Sequence, residues 1–262
     1  MKPHWISSRS EIAGQLRAQP RILLGCDFDG TLAPIVPNPL DAKAVRGARA
    51  ILAGLAALPS VEVAIISGRA LDDVRSRIGL PELNYVGNHG LELQGRVLEG
   101  MTLPRSAPAQ GELETALERI RTAVGDVEGL YVENKTLTAS IHFRNVPESL
   151  HAQIDDAVEV ALADLPDLTA NHGRMIWEIR PRVGWDKGTA LRRMLEHLDL
   201  PEEAGIYIGD DTTDEDAFRA IPRGLTFYAG RRKETAARWL VDSPLDTVQL
   251  LEWICRERNG CA

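Results

Sequence analysis

The chain has 262 residues, 44% of them hydrophobic and 26% charged, with a formal net charge of -8. That length suits two moderate domains with buried cores, and no apolar run approaches the roughly 20 residues that a bilayer span requires. So acidic a chain lacks the cationic surface that sequence-independent binding to nucleic acid needs, so neither nucleic acid nor membrane is an expected partner; a small molecule is, and a monomer is expected.

In chain order, three apolar runs end abruptly in polar residues: Ile22-Leu23-Leu24 before Asp27, Val63-Ala64-Ile65-Ile66 before Ser67, and Ile206-Tyr207-Ile208 before Asp210. Runs of this kind are expected to be buried parallel strands. Helical patterns over 45–58, 187–198 and 213–220 alternate with them, which predicts an α/β fold with a doubly wound, Rossmann-like parallel sheet. Ligands of such sheets bind beyond the strand C-termini, so the three polar ends should share one crevice.

Between Leu103 and Pro181 the pattern changes. Leu113, Leu117, Ile120 and Val124 form the apolar face of a helix. Strict alternation follows, with Leu137, Ala139, Ile141 and Phe143 on one side of a strand and Thr138, Ser140, His142 and Arg144 on the other. A second helix carries Leu150, Ile154, Val158 and Ala161, and a second alternating segment sets Met175, Trp177 and Ile179 against Glu178 and Arg180. Helix-strand-helix-strand, with room for a further strand in each half, suggests a small α+β domain with one apolar and one polar sheet face. We therefore expect a core of residues 1–103 and 184–262, and an inserted domain of residues 104–183.

Cys26, Cys255 and Cys261 show neither a disulfide framework nor zinc spacing, which points to a reducing, cytoplasmic setting. The apolar run before Cys26 is too short for a lipoprotein leader. Asn134-Lys135-Thr136 fits a glycosylation pattern only by coincidence, since no secretory signal accompanies it.

The first chemical motif is Asp27-Phe28-Asp29-Gly30-Thr31. Residues two apart in an extended chain project to one side, so both carboxylates can address one substrate or ion, and Gly30 permits the turn that follows. Taken alone, the pentapeptide also reads as an Asp-rich turn. In Gly209-Asp210-Asp211-Thr212-Thr213-Asp214-Glu215-Asp216, acidic residues at a helix start suit the dipole, but Asp210 at a buried strand end needs another reason. Beside Asp27 it would suffer like-charge repulsion that a hard divalent cation relieves, and Mg²⁺ suits a site with few carboxylates. A calcium loop starting at Asp210 is excluded, because Glu215 stands where glycine is required and Ile221 where the bidentate glutamate should be. Ser67 and Lys187 can contact a phosphoryl group, although singly they read as a helix cap and a surface charge.

Together these segments resemble the four motifs of the haloacid dehalogenase superfamily, in order and over nearly the whole chain. Residues 27–39, Gly87-Asn88-His89-Gly90, Val132-Glu133-Asn134-Lys135, Ile141-His142-Phe143-Arg144, and residues 173–181 and 209–218 resemble, more narrowly, the trehalose-phosphatase family. The resemblance implies an Mg²⁺-dependent phosphatase acting on trehalose 6-phosphate, with Asp27 as nucleophile and Asp29 as acid and base, tuned by acidic neighbours. It assigns Ser67 and Lys187 to the transferring group, and Asp27, the Asp29 carbonyl, Asp210 and Asp214 to the metal, with Asp211 as an alternative or outer contact. Substrate contacts are expected from Arg69, Asn88, His89 and Gly90 and, in an inserted cap closing over the sugar, from Lys135, His142, Arg144, Glu178 and Arg180. Competing readings are a phosphatase of another sugar phosphate such as sucrose 6-phosphate, and a non-catalytic phosphoryl acceptor. A nucleotide-binding module is disfavoured by the lack of a G-x-x-x-x-G-K-[ST] loop.

Overall fold

The structure is a computed structural model that describes residues 2–101, 107–173, 175–231 and 234–259. Leu103, where the sequence places the departure from the core, lies outside the described residues, as do Arg174 and Cys261. In chain order the elements are α1 (Arg9–Ala18), β1 (Ile22–Cys26), α2 (Ala48–Ala56), β2 (Val61–Ile66), α3 (Leu71–Ile78), β3 (Asn84–Gly87) and β4 (Glu92–Gln94). Next come α4 (Ala107–Val124), β5 (Tyr131–Asn134), β6 (Ala139–His142), α5 (His151–Leu162), β7 (Leu168–Gly173) and β8 (Ile176–Pro181). The chain ends with α6 (Lys187–His197), β9 (Gly205–Gly209), α7 (Asp214–Ala220), β10 (Leu225–Ala229), β11 (Trp239–Val241) and α8 (Pro244–Arg258). Two units result, Met1–Thr102 with Trp185–Ala262, and Leu103–Gly184.

The first unit holds a sheet in the order β11-β10-β9-β1-β2-β3-β4, parallel throughout except for the antiparallel pair β3 and β4. Alternation sorts its apolar residues onto two faces. Ile22, Leu24 and Cys26 of β1 join Val63, Ile65, Ile206 and Ile208 in a core closed by Leu16, Leu52, Val74 and Leu250 of α1, α2, α3 and α8. Leu23, Ala64, Ile66 and Tyr207 point the other way, onto Leu191 and Phe218 of α6 and α7. Burial on both faces is why these strands read as continuous apolar runs. At one edge, Leu240 N donates to the Pro3 carbonyl at 3.0 Å, and His4 forms a parallel bridge with Leu240. Asp246 of α8 holds that segment down, accepting from the Trp5 indole at 3.1 Å and lying 2.8 Å from His4 Nε2.

The second unit repeats helix-strand-strand twice and forms an antiparallel sheet, β5-β6-β8-β7. Leu113, Leu117, Ile120 and Val124 of α4 and Ile154, Val158 and Ala161 of α5 pack with Ala139, Ile141, Phe143 and Ile179 in one core. One expectation needs correction. Met175 is not on the apolar face: it is exposed, with φ 64, in the tight connection between β7 and β8, while Trp177 and Ile179 do pack inward. Thr138 and Ser140, on the polar side of the same alternation, are buried.

Among the described residues no helix is long and apolar enough to cross a membrane. Ile65→Ala should cost about 2–5 kcal/mol, since Ile65 is fully buried on β2 between two parallel neighbours and its loss leaves a cavity. A urea titration checks this, and a change below about 1 kcal/mol would show that the sheet collapses around the gap.

Candidate active site

Because β9, β1 and β2 are parallel neighbours, their C-terminal ends bring Asp210, Asp27 and Ser67 side by side. Asp27 continues β1, its N–H donating to the Ile208 carbonyl at 2.9 Å, and it is only 4% exposed. The chain then turns at Gly30, with φ +74, where an added Cβ would sit 1.9 Å from Asp210 Oδ2. Only glycine allows both the backbone angle and the approach of that carboxylate. Lys187 opens α6, whose N-cap Asp186 accepts from Thr189 N at 2.7 Å. Its buried ammonium donates to Asp27 Oδ1 at 2.9 Å and to Asp214 Oδ1 at 2.7 Å. Asp214 in turn accepts from the Tyr207 hydroxyl at 2.7 Å and from the N–H groups of Asp210 and Asp211 at 2.9 and 3.0 Å.

These bonds define the electrostatics. Burial pushes the Asp27 carboxyl well above the usual carboxylate range; Lys187 pulls it back, while Asp214 and Asp29 push it further up. Asp210 is raised for the same first reason, then by Asp27, Asp214 and Asp211. Burial alone would discharge Lys187, but Asp214 and Asp27 hold its ammonium well above the ordinary lysine range. Asp27, Asp210 and Asp214 each offer an oxygen within 4.8 Å of the others, and only Lys187 offsets their charge in the described contacts. An all-oxygen cluster with surplus negative charge suits a hard divalent cation. Within it, Asp214 already accepts four hydrogen bonds, so its oxygens organise Lys187 and the Asp210 backbone.

Asp29 has a partner that the sequence does not announce. Arg69 Nε donates to Asp29 Oδ2 at 2.6 Å and Nη2 to Oδ1 at 2.7 Å, so the close charged neighbour is a guanidinium where acidic ones were expected. The same guanidinium donates to Asp73 Oδ2 and to the Pro39 carbonyl, both at 2.8 Å. Burial would lower the Arg69 pKa, but Asp29 and then Asp73 raise it beyond the ordinary arginine value. Ser67 is buried, and its hydroxyl accepts from Arg69 N at 3.2 Å. Asn88, His89 and Gly90 follow β3 beside it: His89 N donates to the Ser67 carbonyl, Asn88 N to the Arg69 carbonyl, and the Trp185 indole to Gly90 O. Asn88 Nδ2 donates to Glu92 Oε2.

In the second unit, cross-strand register puts Glu133 opposite Ser140, and Ser140 opposite Glu178, on the face that also carries His142 and Arg180. His142 Nε2 lies 3.1 Å from Glu133 Oε2 and stacks on Tyr131, and the Lys135 ammonium lies 3.8 Å from the same carboxylate. Arg144 is exposed beyond the end of β6. Glu133, which meets both His142 and Lys135, was not singled out by sequence reasoning. It stood inside a quoted motif, and its place one step from Lys135 on the same alternating face was the available signal.

A doubly wound parallel sheet with Asp-x-Asp, Ser and Asp groups at its strand ends, a Lys at the start of α6 and an inserted α+β unit defines a haloacid-dehalogenase-type protein. A haloacid dehalogenase-like hydrolase from Bacteroides thetaiotaomicron has this fold, with a TM-score of 0.66 at 17% identity over 89% of this chain and 99% of that one. Residues 26–240 match the sequence model of the trehalose-phosphatase family, and the chain belongs to that family. It is 35% identical over 268 residues to probable trehalose-phosphate phosphatase 4 of Oryza sativa subsp. japonica, covering 96% of this chain and 71% of that protein. It is 38% identical over 233 residues to a trehalose-phosphate phosphatase of Mycobacterium marinum, covering 86% of this chain and 59% of that protein. The C-terminal domain of trehalose-6-phosphate phosphatase from C. albicans superimposes with a TM-score of 0.84 at 21% identity, covering 100% of this chain and 99% of that one. A trehalose-6-phosphate phosphatase related protein gives 0.73 at 28%, covering 91% and 98%.

The ladder behind Asp29 has a pH signature. Burial works to raise the Asp73 carboxyl, yet hydrogen bonds from Arg77 and Arg69 hold it below the usual range. A depressed folded-state pKa contributes stability that is complete above the unfolded value of about 4 and fades as pH falls below it. The stability difference between wild type and Asp73→Asn, read from urea midpoints, should therefore be largest near neutrality and shrink on acidification towards pH 3. A difference independent of pH would show that the carboxylate charge is not what these arginines use.

Proposed function

We propose that the protein is a Mg²⁺-dependent phosphatase that hydrolyses trehalose 6-phosphate to trehalose and phosphate through an aspartyl-phosphate intermediate. The observation that carries this reading is the buried Asp27 carboxylate, fixed through Oδ1 by Lys187 and flanked on adjoining strand ends by Asp210 and Ser67. With Oδ1 so held, Oδ2 is the oxygen that attacks phosphorus. The phosphorus bond to the sugar oxygen breaks as Asp29 delivers a proton to that oxygen. Water then attacks the phosphorus of the aspartyl phosphate and gives its proton to the Asp29 carboxylate, which releases phosphate and restores Asp27.

Ser67 donates its hydroxyl to a phosphoryl oxygen, and Lys187 offsets developing charge. Asp27, Asp210 and the Asp29 backbone carbonyl would hold Mg²⁺, with Asp214 securing Lys187 and the Asp210 loop from behind. When bound, the ion neutralises phosphoryl oxygens and aligns them for in-line transfer. Asn88, His89 and Gly90 shape the loop beside Ser67.

The inserted unit is assigned to the sugar. Its Glu133, Lys135, His142, Glu178 and Arg180 supply the mixture of donors and acceptors that a polyhydroxylated ligand needs, and Arg144 adds an exposed cation. The trehalose-phosphate names of the relatives favour trehalose 6-phosphate over other sugar phosphates. The free thiols Cys26 and Cys255 fit a reducing, cytoplasmic setting.

Phosphate release from trehalose 6-phosphate, sucrose 6-phosphate and glucose 6-phosphate, with and without Mg²⁺, tests this. We expect selective, metal-dependent turnover of the first and its loss in Asp27→Asn. Preference for another sugar phosphate would overturn the substrate, and undiminished turnover in Asp27→Asn would overturn the nucleophile. Glu178→Ala should raise KM for trehalose 6-phosphate roughly tenfold or more while leaving p-nitrophenyl phosphate nearly unaffected, as expected when a polar contact to the sugar is removed. Equal losses on both substrates would remove Glu178 from sugar recognition.

A further inference from the structure

Arg69 stands in a sequence position expected to touch substrate, yet four of the five N–H donors of its guanidinium are engaged inside the protein. Both Asp29 oxygens take one arm each of the guanidinium, at 2.6 and 2.7 Å, in a two-point fork. The fork itself is fixed from three further directions: Asp73 Oδ2, the Pro39 carbonyl, and the ring of Phe28, 5.4 Å below the guanidinium carbon. Arg77 extends the clamp, donating to both Asp73 oxygens and to the carbonyls of Leu40 and Ala42. Arg69 N also donates to Ser67 Oγ, so one residue fixes groups at two neighbouring strand ends.

Planar bidentate pairing sets a carboxylate's orientation as well as its location, which a lysine cannot do. Resting on the phosphatase reading above, we propose that Arg69 is a positioning residue. It does not bind the substrate's phosphate; it sets the orientation from which Asp29 exchanges protons with the leaving oxygen and the attacking water. Asp73 and the Pro39 carbonyl act through Arg69 by fixing its fork. Misplacement of a proton-transfer group by about 1 Å can cost roughly a hundredfold in rate, so the fork matters even though it touches no reacting atom.

Steady-state kinetics on trehalose 6-phosphate and p-nitrophenyl phosphate test this with Arg69→Gln, Arg69→Lys, Asp73→Asn and Asp29→Asn, and with the Arg69→Gln/Asp29→Asn double variant. Arg69→Gln should lower kcat on the sugar phosphate roughly 10- to 100-fold with KM within about twofold. The loss should be smaller on the aryl phosphate, whose leaving group needs little protonation. Arg69→Lys should lose most of the same kcat, because it keeps the charge but not the fork. Asp73→Asn, which leaves the Arg69–Asp29 pair in place, should lose kcat in the same direction by less, with KM unchanged. In the Asp29→Asn background, Arg69→Gln should cost less than about twofold further, the non-additivity expected of two residues acting as one unit.

A raised KM with kcat intact would make Arg69 a substrate contact and overturn the proposal, as would a full, additive loss in the Asp29→Asn background. Thermal melts of each variant separate these outcomes from misfolding; if Arg69→Gln fails to fold, the Asp73→Asn kinetics decide, and an unchanged kcat there overturns the proposal. Wild-type preference for a different phosphate ester would overturn the substrate reading alone, and the same series on that ester would decide the role of Arg69. A wild type that hydrolyses neither substrate nor any sugar phosphate offered overturns both.

Discussion

Crowding of carboxylates around one buried ammonium is the constraint on which the catalytic unit is arranged. Lys187 reaches Asp27 on β1 and Asp214 on α7, and Asp214 ties in the Tyr207 hydroxyl and the backbone of Asp210 and Asp211. Each charge taken from water here is tolerable only because another answers it; removing one partner of such a buried pair typically costs about 3–5 kcal/mol. The strand order serves this arrangement, because β1 and β9 are parallel neighbours and bring Asp27 beside the loop of Asp210. The arrangement dictates glycine at position 30, where any side chain would strike Asp210. It also leaves a surplus of negative charge, which a divalent cation would offset.

A second electrostatic system runs alongside and meets the first at the Asp-x-Asp motif. Asp29, Arg69, Asp73 and Arg77 alternate in sign, and the two arginines also grasp the carbonyls of Pro39, Leu40 and Ala42 in the segment after β1. The Asp27 carboxylate is thus held from the side of α6 and Asp29 from the side of α3, although the two residues are separated only by Phe28. The two carboxylates of one short motif thereby acquire different surroundings. The inserted unit is built on another principle. Its antiparallel sheet spends one face on α4 and α5 and displays Glu133, His142, Glu178 and Arg180 on the other.

What the sequence revealed follows from what burial does to composition. β1, β2 and β9 lie at the sheet centre with both faces covered, so they are unbroken apolar runs whose polar ends mark the site. β3 and β11 were illegible: β3 contains the buried Asn84, whose amide donates to the Val63 carbonyl, and β11 is a three-residue edge strand. In the inserted unit the helical stripes of α4 and α5 were plain, whereas Met175 fitted the alternation and yet falls in a turn, because alternation does not reveal where a hairpin reverses. Asp27, Ser67, Lys187 and Asp210 were legible as motifs at element ends. The engagement of Asp29 by Arg69 was not, because it joins residues forty positions apart and depends on where α3 begins. The saturation of Asp214 was equally hidden, since acidic residues at a helix start look alike until their hydrogen bonds are known.

The segment at Pro3 and His4 has a consequence for the behaviour of the chain in crowded solution. An open parallel sheet presents unpaired N–H and C=O groups at its margins, which can template pairing with another molecule. Here one margin is covered by that segment, pinned through His4 and Trp5 to Asp246. The other margin ends in β4, short, antiparallel and followed at once by a 3₁₀ turn over Arg96–Leu98. The catalytic strands at the centre are thereby kept from edge-to-edge association, and a chain trimmed at its first few residues would expose β11 as an adhesive border.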